Sequence, residues 1–188
     1  MSAENFVNQL QNKNNLGLTS PGLSAELFAP GLVSSNNLEI QGVFSADMKE
    51  FYFTRQVEGE RPKLHGLRLK DEKWHEFLVE KRVGEPFIST DNQTMYLGNV
   101  YRKRSTSGWS SNQDLGPLFE PYTIMRLTAS SKETYVFDNR DTIGTLRFSK
   151  LIDGVHTTPK AFGKNINSGK MTGHPFIAAD ESYLIWDS

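Results

Sequence analysis

Four polar side chains of kinds that bind ligands recur along the chain at wide and similar intervals: Gln41, Glu85, Arg126 and His174. A carboxylate beside a guanidinium or an imidazole can orient a polar or anionic ligand through charge-assisted hydrogen bonds. Polar side chains that surround ordered water have the same composition. We therefore expect a ligand-binding patch at these four residues, and a water-filled site is the alternative.

The sequence contains no pattern for a catalytic nucleophile, a metal or a cofactor. It has no cysteine, which excludes thiolate chemistry, disulfides and cysteine-bound zinc. It has neither a Gly-x-Ser-x-Gly motif nor a glycine-rich phosphate loop. None of the four histidines has the i, i+4 spacing of a helical metal site. We expect no catalytic residue, and we expect His65 and His75 at the surface and His174 in a binding role.

The elements that must position these side chains belong to a repeat. Its copies are VFSADMKEFYF from Val43, FISTDNQTMYL from Phe87, LTASSKETYVF from Leu127 and FIAADESYLIW from Phe176. With Ser45, Ser89, Ala129 and Ala178 as anchors, the spacings are 44, 40 and 49 residues. A period of about 40 to 50 residues is typical of propeller blades, among other repeat arrays.

Each copy has the pattern of two strands joined by a polar turn. The run after the turn is short and rich in aromatic and β-branched residues, which favours a strand over a helix. Asp47, Asp91 and Asp180 lie in the turn, where a carboxylate accepts a hydrogen bond from the backbone two residues on. The last turn position is not a glycine in any copy, so we expect the four turns to differ in type.

The repeat predicts inner strands at 40–44, 85–89, 124–128 and 174–177. Later strands of the first copy are expected at 64–69 and 74–79, and those of the third at 145–149 and 156–161. In the second copy we expect the second strand to continue through 99–101, with an outer edge at 109–115. The predicted buried residues at equivalent second-strand positions are Phe53, Leu97, Phe137 and, more exposed than the others, Trp186.

These copies resemble the TolB-like family of six-bladed β-propellers, whose repeat is roughly Phe-Ser-Pro-Asp-Gly-Lys, two variable residues and an aromatic. SPGLSAELFAPGLVSS, from Ser20 to Ser35, is similar to the segment before the first blade in one branch of the family. The resemblance implies an all-β propeller of four-stranded antiparallel blades. We expect a leader at 1–19 and an incomplete propeller at 20–188, with three blades and half of a fourth, anchored near 45, 89, 129 and 178.

In that family the inner strands line a central channel, so the resemblance would bring the four polar residues to the channel mouth. It implies a non-enzymatic binding or scaffold module that presents loops and this mouth to a protein or a small polar ligand. The alternative is an extracytoplasmic lyase or hydrolase that acts on carbohydrate or peptide, or its accessory propeller domain. The resemblance favours a periplasmic or extracellular location, although the chain shows no signal-peptide pattern.

Composition restricts the partners. The 188-residue chain has 21 Lys and Arg against 22 Asp and Glu, so we expect no nucleic-acid binding. The basic run from Arg102 to Arg104 is expected in a solvated loop. No run of about 18 apolar residues predicts a membrane span. An open blade edge, with its unpaired backbone groups, is expected to pair with another chain.

Overall fold

The computed structural model describes Leu16 and residues 22–188, and within these residues the secondary structure consists of strands and turns. The prediction of an all-β chain is confirmed. The chain divides into two compact units, unit 1 up to Arg82 and unit 2 from Val83 onward. No long apolar helix that could span a bilayer occurs in the described part of the chain. The predicted leader lies outside the described residues, apart from Leu16, which is buried in the core of unit 1.

Unit 1 contains one antiparallel sheet of four consecutive strands, in the order β1 (Leu38–Phe44), β2 (Glu50–Gln56), β3 (Lys63–Lys70) and β4 (Lys73–Lys81). The first five residues of β2 are all buried, because this central strand packs on both faces. Phe51 and Phe53 lie in a cluster with Leu67 and Trp74. The four strands predicted for the first copy are therefore confirmed.

The first sheet of unit 2 comprises β5 (Pro86–Ile88), β6 (Thr94–Leu97), β7 (Val100–Ser105), β8 (Gly108–Trp109) and β9 (Gln113–Asp114). β5, β6 and β7 are consecutive antiparallel neighbours. The two-residue strands β8 and β9 both pair with β7. The outer edge predicted at 109–115 is thus present as two short pieces.

The prediction that the second strand of this sheet continues through 99–101 is wrong. β6 ends at Leu97, and the chain reverses so that Leu97 lies opposite Val100 in β7. Gly98 permits the reversal with a φ of 68°, and a Cβ there would lie 2.5 Å from the Ile124 carbonyl oxygen. The basic run Arg102–Arg104, expected in a loop, consequently lies on strand β7.

The second sheet of unit 2 contains β10 (Ile124–Ala129), β11 (Tyr135–Asn139) and β12 (Thr145–Ser149). A separate hairpin of β13 (Leu151–Ile152) and β14 (Val155–His156) follows, and β15 (Lys160–Ala161) then pairs with β12. The outer strand predicted at 156–161 is therefore correct only at its last two residues. A final hairpin is formed by β16 (Gly173–Ile177) and β17 (Leu184–Asp187).

The four turns between inner and second strands begin with the same bend, in which a left-handed fourth residue donates its N–H to the carbonyl of the first. This is contrary to the prediction that they differ in type, and only the third turn differs from the others, in its length. In each, the first residue donates its N–H to the carbonyl of the residue that precedes or begins the second strand, and the turn contains one left-handed residue. The left-handed residues are Met48 (φ 58°), Asn92 (φ 60°), Glu133 (φ 57°) and Glu181 (φ 67°). The donors and acceptors are Ser45 to Glu50, Ser89 to Thr94, Ser130 to Thr134 and Ala178 to Tyr183, at 2.8–3.1 Å.

This hydrogen bonding changes the alignment of the third copy. Its turn begins at Ser130, one residue after the predicted anchor Ala129, and it is one residue shorter than the others. The second-strand residues remain equivalent, and Phe53, Leu97 and Phe137 are all buried. Trp186 is half-buried and so more exposed than its three equivalents, as predicted.

Candidate functional site

Three inner strands contain a β-bulge at the predicted binding position. The pairing register shifts between Ile40 and Val43, between Ile124 and Leu127, and between Gly173 and Phe176. A bulge re-aims the side chain that it carries and is frequent beside functional sites. Gln41, Arg126 and His174 each lie within one of these bulges.

Two of the bulge residues have backbone conformations that are unusual for their type. Gln41 has a φ of 63° and His174 a φ of 47°, both in the left-handed region. His174 also precedes Pro175, and a following proline restricts the backbone further. Strain of this kind persists where the surroundings fix a side chain in one direction.

The corrected alignment places all four predicted residues at one offset. Arg126 lies four residues before Ser130, as Gln41, Glu85 and His174 lie four residues before Ser45, Ser89 and Ala178. The one-residue discrepancy of Arg126 in the sequence therefore came from the shorter third turn. Side chains at one offset in successive sheets occupy corresponding positions.

In unit 2, three of the predicted residues meet. Arg126 Nε lies 2.7 Å from Glu85 Oε2, and His174 Nε2 lies 3.4 Å from Glu85 Oε1. His174 Nδ1 lies 2.9 Å from Asp187 Oδ2, which extends the chain of contacts to a fourth residue. We call Glu85, Arg126, His174 and Asp187 the Glu85 cluster. The segment before β5 and the strands β10, β16 and β17 each contribute one of its members.

The Glu85 cluster is buried at its centre and open at its ends. The Glu85 side chain is 1% exposed, whereas the side chains of Arg126, His174 and Asp187 are 25%, 42% and 65% exposed. A buried carboxylate requires compensating partners, and Arg126 and His174 supply them. The ends of the cluster remain accessible to a partner.

The His174 ring is held between two carboxylates. Its Nε2 faces Glu85 and its Nδ1 faces Asp187. A neutral imidazole has one N–H donor and one lone pair, so only the protonated ring can donate to both carboxylates. The two contacts fix the orientation of the ring.

Asp138, which the sequence did not indicate, fixes the backbone beneath this cluster. Its buried carboxylate accepts hydrogen bonds from the N–H groups of Met125 (3.0 Å), Arg126 (2.8 Å) and His174 (3.2 Å). It thereby joins the bulge of β10 to the bulge of β16. In the sequence, Asp138 and Asp187 directly follow the equivalent residues Phe137 and Trp186. This shared position could have indicated both aspartates as members of the site.

Gln41, the fourth predicted residue, belongs to unit 1 and has its described partners there. Its Oε1 accepts hydrogen bonds from Thr54 Oγ1 (2.9 Å) and Arg82 Nε (3.0 Å). It also lines a pocket of about 400 Å³ whose walls include four phenylalanines, among them Phe44 and Phe51. A common channel mouth for all four residues stays a prediction.

Unit 1 has an ionic cluster of its own, formed by Glu39, Arg55, His65 and Glu76, which we call the Arg55 cluster. Arg55 lies 2.8 Å from Glu39 and 2.7 Å from Glu76, and His65 Nδ1 lies 2.7 Å from the same Glu76 oxygen. Burial would raise the pKa of Glu39, but hydrogen bonds from Ser35 and Arg55 outweigh it and lower that pKa. His65 is half-buried in this cluster, contrary to the prediction of a surface residue, whereas His75 is exposed.

The repeated turn aspartates have the structural role that was predicted. The carboxylates of Asp47, Asp91 and Asp180 accept hydrogen bonds from the backbone N–H two residues on, at 3.2, 2.9 and 3.0 Å. Burial opposes ionisation of Asp47 and Asp91, but these bonds and those from Ser45 and Ser89 lower the pKa of both carboxyls. Within the described residues, no group of three side chains is arranged to hold a metal ion.

Comparison with known proteins identifies the fold. No protein-family model matches the chain, and no curated protein matches its sequence. Among solved structures, TolB from Acinetobacter baumannii is similar over 81% of this chain and 38% of that chain, with a TM-score of 0.53 and 12% sequence identity. The fold is therefore the TolB-like β-propeller type with four-stranded antiparallel blades. The chain spans about 38% of the length of that TolB chain.

Proposed function

We propose that this chain is part of a member of the TolB-like family and is a binding module without a reaction of its own. Its contact surface is the exposed part of the Glu85 cluster, which meets a protein or a small polar ligand through Arg126 and His174. The observation that carries this proposal is a buried carboxylate that holds a partly exposed arginine and a partly exposed histidine at bulges in successive inner strands.

The rigidity of the site supports binding. Asp138 holds the backbone of both bulges, and Glu85 holds the side chains of Arg126 and His174. Polar groups fixed before a ligand arrives lose little conformational entropy when it binds. The arrangement therefore favours recognition of a ligand with matching charge and hydrogen-bonding groups.

The chemistry of the cluster favours binding over catalysis. Among the described residues, the His174 ring contacts two carboxylates and no hydroxyl group. Activation of a nucleophile requires the base to lie within hydrogen-bonding reach of it. The Glu85 side chain is 1% exposed and contacts Arg126 and His174, so it is poorly placed to meet a substrate.

The proposal is tested with a library of random twelve-residue peptides displayed on phage and selected on the wild-type chain. We expect the selected peptides to bind an Arg126→Ala, His174→Ala double variant at least about tenfold more weakly. The matched control is Arg140→Ala, His75→Ala, which removes an exposed arginine and an exposed histidine outside the cluster.

Loss of binding in the double variant with retention in the control supports the proposal. Equal binding to all three proteins would assign the peptides to another surface and overturn it. Because Arg126 and His174 are partly exposed, the variants can be compared after their amide spectra have shown that the fold is kept. Glu85 is left unchanged in this test because its carboxylate is buried and holds both side chains, so that its substitution would also disturb the fold.

A further inference from the structure

Arg147 differs from the other half-buried arginines of the described chain. Arg55, Arg82, Arg102, Arg104 and Arg126 each have a hydrogen bond to an acceptor. Arg147 has none within the described residues, and its Nε is buried without a partner. A buried donor without an acceptor is rare in folded proteins, so its presence requires an explanation.

The local structure holds the Arg147 guanidinium in place. Arg147 lies opposite Phe137 on one side and Ala161 on the other, in the register of β11, β12 and β15. The guanidinium carbon lies 5.0 Å from the centre of the Tyr122 ring, in cation–π contact. Arg147 as a whole is half-buried, so solvent reaches other atoms of the side chain although it does not reach Nε.

We propose that Arg147, supported by Tyr122, is a binding site for a carboxylate ligand. The terminal N–H groups of Arg147, which solvent reaches, lie in one plane, and a planar carboxylate accepts two such groups side by side. The nearest lysine in this register, Lys160, lies opposite Phe148, so strand alternation directs it to the other face from Arg147. Lys160 therefore adds no second positive charge at this position, and the planar guanidinium matches a carboxylate better than a tetrahedral phosphate.

This site is independent of the Glu85 cluster. Its residues lie on β12 and on the loop before β10, and none of them contacts Glu85 or His174 in the described structure. A free organic acid and an acidic side chain of a protein offer the same carboxylate. The assignment concerns this shared chemistry, and the two sources are separated by experiment.

The test is a nuclear magnetic resonance titration of the arginine Nε–H signals in the intact chain. The Arg147 signal is assigned by its loss in Arg147→Lys, and Arg140→Lys is the control for an exposed arginine. The probes are sodium acetate and the peptide acetyl-Gly-Asp-Gly-amide, with sodium chloride at equal ionic strength. We expect the Arg147 signal to shift and saturate with a carboxylate probe and to remain in place with chloride.

Tighter binding of acetate assigns a free acid as the ligand source, and tighter binding of the peptide assigns a protein side chain. Binding followed through backbone amides of β12 is expected to weaken at least about tenfold in Arg147→Lys, because an ammonium lacks the planar pair of donors. Tyr122→Leu is expected to weaken it several-fold and keeps the arginine. Unchanged binding in Arg147→Lys, no saturation with either carboxylate, or tighter binding of inorganic phosphate would each overturn the proposal.

Discussion

Units 1 and 2 both contain an ionic cluster of two carboxylates, one arginine and one histidine, but they use it differently. The Arg55 cluster draws its members from β1, β2, β3 and β4, which are neighbours in one sheet. The members of the Glu85 cluster come from three places: the segment before β5, strand β10 of the second sheet of unit 2, and the β16–β17 hairpin. The first cluster stabilises the pairing within a sheet, and the second links successive inner strands.

Because both clusters contain the same types of side chain, side-chain type alone does not define a binding site. In the Arg55 cluster, the Arg55 guanidinium carbon and the His65 ring lie 5.0 and 5.5 Å from the centre of the Phe53 ring, so both side chains also cover the core. In the Glu85 cluster, the bulges aim Arg126 and His174 away from the sheet pairing and toward one buried carboxylate. Only the second arrangement gathers residues that are far apart in sequence at a partly open position.

The largest expected effect is the loss of stability when a buried phenylalanine is removed from unit 1 or from unit 2. Phe53→Ala and Phe137→Ala should each lower the free energy of unfolding by about 3–5 kcal/mol, because both side chains are fully buried. Phe53→Ala should also loosen the Arg55 cluster, which rests on that ring. Urea unfolding measures the stability, and ring signals of His65 should shift in Phe53→Ala and stay unchanged in Phe137→Ala. Unchanged His65 signals in both variants would contradict the role of Phe53.

The next effect compares the carboxylates of the two clusters. Glu85→Gln should lower the free energy of unfolding by about 3 kcal/mol, because it removes a buried charge that Arg126 and His174 both contact. Glu76→Gln should cost less than about 1 kcal/mol, because Glu76 is 36% exposed and water replaces it. Chemical unfolding of the two variants provides the comparison. Equal losses of stability in the two variants would show that Glu85 is no more buried in solution than Glu76.

Acid should destabilise unit 2 through His156. Burial against Tyr135 and Phe119 lowers the pKa of this imidazole, so the folded state binds a proton less readily than the unfolded chain does. The contribution of His156 to the free energy of unfolding is present above the pKa of the unfolded chain, about 6.5. It is lost as the pH falls through the lower pKa of the folded state. Unfolding between pH 7 and pH 5 should therefore be less pH-dependent in His156→Gln than in the wild type. His75→Gln, at an exposed site, is the control and should behave as the wild type.

The smallest expected effect concerns the turns that both units share. Met48→Gly in unit 1 and Glu133→Gly in unit 2 should each change the stability by less than about 1 kcal/mol and favour the folded state, because glycine adopts a left-handed φ without steric cost. Thermal unfolding measures the change. A loss of stability in both variants would contradict the common geometry of the turns.

The sequence was sufficient for the repeat, the strand chemistry and the three cluster members Glu85, Arg126 and His174. It was insufficient for Asp138, because a buried aspartate that binds backbone N–H groups leaves no signal until the bulges are known. It also misplaced the third turn by one residue, because Ala129 and Ser130 are both small and either could begin the turn. The reversal at Gly98 was missed because the turn between β6 and β7 has only two residues, and strand-forming residues continue on both sides of it.

The central claim is that the Glu85 cluster links the inner strands of unit 2, and native-state hydrogen exchange in Glu85→Gln tests it most directly. Exchange should accelerate together at amides of β5, β10 and β16, including Ile177, which donates to Thr128 Oγ1. In the matched variant Glu39→Gln, faster exchange should be confined to the strands of unit 1. Acceleration restricted to β5 in Glu85→Gln, with β10 and β16 unchanged, would contradict the claim.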